Sequence, residues 1–156
     1  FTQDAERKLS NDIYEALLEK HSFDLPDEFL RRWLKATNEK LTDEELAEGY
    51  DDFAKNLKWT LIENKIIKDN SIEIKYEDVV AAAKAKLDAQ FRMYSPSPLP
   101  EDQLAQYAVQ FLQDKENANR TFEEVKAAKT FEQIKTIVTL DQKDIDYDKF
   151  VELDKK

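Results

Sequence analysis

Cysteine is absent from this chain, and glycine occurs once, at Gly49. The first absence excludes disulfides, thiolate nucleophiles and zinc–thiolate sites. The second leaves too few permissive residues for the turns of a many-stranded sheet or for a phosphate-cradling loop. Histidine is also single: His21 permits neither a His–His metal pair nor a catalytic triad built on a second His. It stands at the end of a helical pattern, where the helix dipole or solvent accounts for it. No apolar run approaches the length of a membrane span, and no signal peptide opens the chain. The missing cysteines fit a reducing compartment, and a cytoplasmic location is expected, although absence of Cys also occurs in secreted proteins. Because the first residue is Phe1, the chain reads as a piece of a longer protein.

Charge and helix-forming residues fill the space. Of 156 residues, 37% are charged and 41% hydrophobic, a length that supports one ordinary domain or two small ones. We read residues 1–156 as one mostly helical domain, because Ala, Glu, Lys, Leu and Gln abound. Against 24 Lys and Arg stand 34 Asp and Glu, a net charge of -10. Such a surface repels phosphate, so neither nucleic acid nor membrane is expected as a partner.

Apolar spacing predicts the helices. Leu9, Ile13 and Leu17 mark one over 4–20, and "HSFDLPDE" breaks it, with Pro26 suited to the first turn of the next. That second helix carries Phe29, Leu30, Trp33 and Leu34 and is expected to end near Leu41. Both Trp33 and Trp59 lie within such stripes and are expected to be structural. Thr42 and Glu45 are spaced as a capping box for a helix over 43–68, with Leu46, Tyr50, Phe53, Leu57 and Leu61 on one stripe. At 1.5 Å per residue it spans roughly 40 Å, which predicts an elongated molecule. A helix over 76–94 follows, with Tyr76, Val80, Ala83, Leu87, Phe91 and Tyr94 on one face. "SPSPLP" at 95–100 holds three of the four prolines and forces a reversal. Leu104, Tyr107, Ala108, Phe111 and Leu112 mark another helix, and "DKENANR" reads equally as loop or helix. Phe122, Val125, Ala128, Phe131, Ile134 and Val138 form the last stripe.

One joint recurs. The register that pairs Ile13 with Ile62 also pairs Leu17 with Ile66, Ser22 with Ser71, Leu25 with Ile74 and Glu28 with Glu77. Ile145 to Phe150 echoes Ile74 to Val79 more weakly. In each case a helix ends, an apolar-x-apolar or apolar-x-aromatic step follows, and a carboxylate stands where a new helix begins. Reused capping chemistry and internal duplication both explain this, and under either the joint redirects long helices.

No constellation for catalysis emerges, so no catalytic residue, metal site or cofactor is assigned. Asp144-x-Asp146-x-Asp148 opens like a calcium loop, but Lys149 and Lys155 stand where a glycine and a bidentate carboxylate are needed. Asp51 and Asp52 read as a solvated helix face, and Asn119-Arg120-Thr121 matches a glycosylation sequon that matters only in a secretory compartment. Apolar side chains remain. Phe91, Met93, Tyr94 and Leu99 gather at the proline-rich reversal, and Tyr107, Phe111 and Leu112 follow on the adjoining helix. If the helices protrude, these seven residues form an exposed apolar strip for binding other chains; if not, they close the hairpin.

Four stretches carry a resemblance to a known family: "YEALLEKHSFDLPDEFLRR", "NLKWTLIENKIIKDNSIEIKYEDVVAAA", "PEDQLAQYAVQFLQDKENANR" and "LDQKDIDYDKFVEL". In order and spacing they resemble the C-terminal domain of bacterial trigger factor, a ribosome-associated chaperone, from about Leu9 to Leu153. The resemblance implies an all-α, elongated helical body with two protruding helical-hairpin arms, the repeated joints turning the chain between body and arms. It implies ATP-independent binding of unfolded or nascent polypeptides, with no cofactor and no enzyme activity in this segment. The family's prolyl isomerase domain and its ribosome-docking loop have no counterpart here, so ribosome contact runs only through a missing N-terminal domain. The "SPSPLP" tip and the Trp-bearing "LKWTL" helix depart from the family pattern. A dedicated helical adaptor for one partner is the alternative, marked by a single stoichiometric partner; a carboxylate-based enzyme is a third.

Overall fold

A chain with one glycine must close its helices with side chains and with backbone geometry that other residues tolerate. The computed structural model describes residues 2–95, 97–141 and 144–153, leaving aside the side chains of residues 2, 3, 147 and 148. Pro96 of the proline-rich stretch, and Lys155 and the Asp148 side chain of the calcium-like pattern, therefore lie outside the described residues. Among the described residues all regular structure is helical: α1 (Thr2–Lys20), α2 (Asp27–Thr37), α3 (Asp43–Asp69), α4 (Tyr76–Arg92), α5 (Glu101–Phe111), α6 (Lys115–Ile137) and α7 (Tyr147–Leu153). The chain is all-α, as expected. It divides into one unit of Phe1–Ile66 with Asp141–Lys156 and a second of Ile67–Leu140.

In the first unit, α1 closes when the His21 N–H donates to the Leu17 carbonyl at 3.0 Å. Pro26 caps α2 rather than lying inside it: its carbonyl accepts the Leu30 N–H at 2.9 Å, while the ring holds φ at -73°. α2 stops at Thr37, short of Leu41, where the Thr37 hydroxyl donates back to the Trp33 carbonyl and the Asn38 N–H to Leu34. The capping box then starts α3 as predicted. The Glu45 N–H donates to Thr42 Oγ1 at 3.2 Å, and the Thr42 N–H donates to the Glu45 carboxylate at 3.0 Å. The Thr42 N–H, and after it the Thr42 hydroxyl, which donates to the same carboxylate at 3.1 Å, hold the Glu45 pKa below the ordinary carboxylate value. Ile13, Leu46, Tyr50, Ile62 and Phe150 are buried here, while Leu61, which ends the predicted stripe, is exposed.

Long side chains hold these helices. Tyr14 and Trp59 tilt against each other with ring centroids 4.8 Å apart, and Lys55 of α3 meets Glu15 of α1 at 2.8 Å. Tyr50 donates its hydroxyl to Asp27 at 2.5 Å beneath the Arg31 guanidinium, 3.7 Å from the ring centroid. Burial first, and that hydrogen bond second, push the Tyr50 phenol up to about 12.

The second unit begins with the end of α3. The Ser71 N–H donates to the Lys68 carbonyl and the Ile72 N–H to the Ile67 carbonyl. Ser71 has φ 51°, in the left-handed region. This is the Schellman arrangement, with Ser where glycine is usual and Ile72 as its apolar follower. α4 packs against both α5 and α6. It does so through Val79 and Ala83, while α5 buries Leu104 and Ala108, and both alanines are fully covered. Small residues at such crossings let helix backbones approach closely.

α6 settles "DKENANR" as helix, because Asp114 caps it by accepting the Asn117 N–H at 2.9 Å. Its buried residues are Thr121, Val125, Thr130 and Ile134. The first two lie about half a turn around the helix from the last two, so α6 uses opposite faces in its two halves. The predicted single stripe fails accordingly: Phe122, Ala128 and Val138 are exposed. Each buried threonine donates its hydroxyl to a carbonyl one turn back, Asn117 or Lys126, which satisfies the polar group inside the helix.

Candidate functional site

The joint at 70–75 is fastened to α6 by two side chains one turn apart. Lys129 Nζ donates to the Glu73 carbonyl at 2.9 Å and to the Asp78 carboxylate at 2.5 Å. The same carboxylate accepts the Lys75 N–H at 2.8 Å, capping α4, and Gln133 bonds Asn70 at 3.3 Å. The Lys129 hydrogen bond, then that of the Lys75 backbone, hold the Asp78 carboxyl below the ordinary aspartate value. With that clasp closed, Ile74, Tyr76, Val79, Leu112, Ala118 and Phe122 line a mostly apolar depression of about 350 Å³. Tyr76 and Phe122 remain exposed at its mouth.

The far end of α4 is different in kind. After Arg92, the Tyr94 and Ser95 N–H groups bond back to the Phe91 carbonyl in a final turn. Met93 and Tyr94 are 82% and 86% exposed there. Phe91 and Tyr107, both partly exposed, meet across α4 and α5 with ring centroids 5.8 Å apart. Salt bridges flank the region: Lys84–Glu101 at 2.6 Å and Arg92–Asp88 at 2.7 Å.

The seven predicted strip residues thus take three positions. Phe91 and Tyr107 form an aromatic contact, and Met93 and Tyr94 project into water. Leu99 is half-buried in a shallow hollow with Arg92, Pro98 and Leu104. Phe111 and Leu112 are half-buried at the end of α5, with Leu112 on the depression rather than at the tip. Sequence reading missed Ile74, Tyr76 and Phe122 as surface residues. The aromatic step after the joint was the available signal for Tyr76, whereas Phe122 was read as core by its stripe.

Trp59 packs on Tyr14 as a structural residue, but Trp33 is 48% exposed, so its core assignment is corrected. It falls on the outer side of α2, a helix that buries none of its residues. The sequon lies inside α6, with the Thr121 hydroxyl buried and bonded to Asn117, a geometry unlike the exposed loop that glycosylation uses. Asp51 and Asp52 lie exposed on α3, as read. Among the described residues no helix is long and apolar enough to cross a membrane.

This combination of charged, paired helix surfaces and exposed aromatic and thioether side chains offers broad apolar contact. A family model described as "Probable trigger factor, C-terminal domain" matches residues 5–153. The chain belongs to the trigger factor C-terminal domain family, a chaperone-type module. Comparison with curated proteins and with solved structures gives no match.

Proposed function

We propose that this chain binds and shields unfolded or nascent polypeptides without ATP, through exposed apolar side chains of its second unit. Phe91, Met93, Tyr94, Leu99, Tyr107, Phe111 and Leu112 contribute the surface, with the depression at Tyr76 and Phe122 beside Leu112. The observation that carries this reading is the exposure of Met93 and Tyr94 at the end of α4, beside the Phe91–Tyr107 pair. Flexible thioether and amphipathic aromatic groups suit varied partners, and dispersed weak contacts sum by avidity without a deep pocket.

The test is suppression of aggregation of several unrelated refolding proteins by the whole chain. A Phe91→Ser, Met93→Ser, Tyr94→Ser variant keeps its helical circular dichroism and protects clients less well. Binding carries a negative heat-capacity change and no nucleotide dependence. A variant that folds and protects normally places the client surface elsewhere. Protection of one stoichiometric partner alone identifies a dedicated adaptor instead.

A further inference from the structure

The turn that closes α3 carries a covalent liability. Asn70 and Ser71 form it, both are exposed, and Asn70 is followed by a small side chain. Ser71 holds φ 51°, a conformation that only glycine adopts without steric cost. Its N–H reaches the Lys68 carbonyl at 3.3 Å, more loosely than the Ile72 N–H reaches Ile67 at 3.0 Å. An asparagine in such a turn has the next backbone nitrogen close to its own side-chain amide carbon. Attack between two groups already tethered together needs no second molecule to be brought in.

The other asparagines are shielded from this chemistry. Asn11, Asn56, Asn64, Asn117 and Asn119 lie inside helices, where the backbone is fixed by its ladder of hydrogen bonds. Asn117 is also followed by a small residue, but the Ala118 N–H is engaged by the Asp114 carbonyl at 2.9 Å. Asn38 caps α2 and precedes the bulkier Glu39. At the matching joint upstream, the register that pairs Ser22 with Ser71 puts His21 in the place of Asn70. An imidazole cannot undergo the reaction.

We propose that Asn70 is a site of spontaneous deamidation, and that its conversion loosens the joint. The Ser71 nitrogen, its proton passed to water, attacks Asn70 Cγ. A C–N bond forms, the bond from Cγ to Nδ2 breaks, and the amide nitrogen takes up a proton and leaves as ammonia. Water then opens the cyclic imide at either carbonyl. One opening gives aspartate; the other gives isoaspartate, with the main chain rerouted through Cγ. One water is consumed and one ammonia released, with no change of oxidation state.

Both products work against the joint. Each adds a negative charge at the C-terminal end of α3, next to Asp69 in sequence, where the helix dipole disfavours it. Isoaspartate also adds a methylene to the main chain inside the helix closure. It draws into the backbone the Asn70 carbonyl oxygen that accepts from Gln133 of α6. The Ile72–Ile67 closure and the Gln133 bond are lost together, leaving Lys129 to hold the joint through Glu73 and Asp78.

The experiment incubates the whole folded chain in warm, mildly alkaline buffer and follows its tryptic peptides by mass spectrometry. The peptide Asp69–Lys75 holds a single asparagine, Asn70. It converts several-fold faster than any other asparagine, and an isoaspartyl methyltransferase with S-adenosylmethionine labels the product. Ser71→Gly quickens conversion several-fold by uncrowding the attacking nitrogen. Asn70→Gln abolishes it, because the longer side chain closes its ring far more slowly. In the aged wild-type chain, amide hydrogen exchange quickens from Asn70 to Val79, and in the Asn70→Gln chain aged alongside it does not. Conversion at Asn70 no faster than at Asn38 overturns the proposal. So does an aged chain that carries isoaspartate at this position yet exchanges as the fresh chain does. Should the glutamine variant fold poorly, Ser71→Gly decides in its place: its faster conversion brings a faster loss of protection, and unchanged protection overturns the proposal.

Discussion

In the second unit α4 meets its neighbours through Ala83 on its own surface and Ala108 on α5, both fully buried, and α6 adds Thr121 and Thr130. In the first unit the joining groups are Tyr14 on Trp59, Tyr50 on Asp27 and Arg31, and Lys55 on Glu15. One unit brings small residues together so that helices approach closely; the other spans wider gaps with aromatic rings and ion pairs. The difference decides where apolar surface is left over. Close packing in the second unit ends at the Arg92 end of α4, and Met93 and Tyr94 lie beyond it. In the first, α2 is fastened by its polar side, and its apolar side is free.

The sharpest way to break that comparison is at Tyr50. Tyr50→Ala removes a buried ring, the hydrogen bond to Asp27 and the seat of Arg31 together. A loss of about 3–5 kcal/mol is expected in chemical denaturation, with the first unit opening first by hydrogen exchange. Trp33→Ala on the same unit's exposed face costs less than about 1 kcal/mol, although the residue is larger. Comparable losses for the two would mean that α2 is core.

Next in size is Ala108→Leu, which forces extra methylene groups into the α4–α5 crossing. Overpacking of about 1–3 kcal/mol is expected, read as a lower denaturation midpoint. An equivalent change at half-buried Ala54 in the first unit should cost little, because its surroundings are open. Equal effects would erase the distinction between close and wide packing.

The smallest effect is electrostatic and belongs to the clasp. The Asp78 carboxyl has a folded pKa below its unfolded value near 3.8. Its contribution is therefore fully present above that unfolded value and is lost as pH falls through the folded one. Stability of the second unit should decline on acidification below about 4, and Asp78→Asn should flatten that part of the profile. A wild-type profile no steeper than that of the variant would remove the clasp from the account.

Much of this architecture was legible because local chemistry specifies helix ends. The Thr42–Glu45 box and the run through Tyr50 placed α3 within a residue of Asp43–Asp69, and the Ser71 joint placed the start of α4 at Tyr76. α6 was harder. Period counting assumes one core face along a helix, yet Thr121 and Val125 face one way and Thr130 and Ile134 the other. Polar by composition, the two threonines carry no burial signal; only their intrahelical hydrogen bonds make burial cheap. Trp33 misled for the converse reason. An apolar stripe shows that a helix has a contact face, and the partner supplying the contact lies outside the stripe itself. The strip residues were found as types, Met and aromatics beside prolines, but their division between tip and depression depends on which side of α5 each occupies.

The first unit is assembled from both sides of an insertion, since Asp141–Lys156 joins Phe1–Ile66 and contributes the buried Phe150. The second unit is one continuous stretch, Ile67–Leu140. A chain emerging from its N-terminus completes the inserted stretch before the flanking one, whose last helix arrives only after α6 is made. Closing the first unit then means bringing ends together across a segment already collapsed, a smaller entropic demand than closing the same length of free coil. The connectivity thus makes α7 the last piece of the outer unit to be synthesised, after the inner segment is complete.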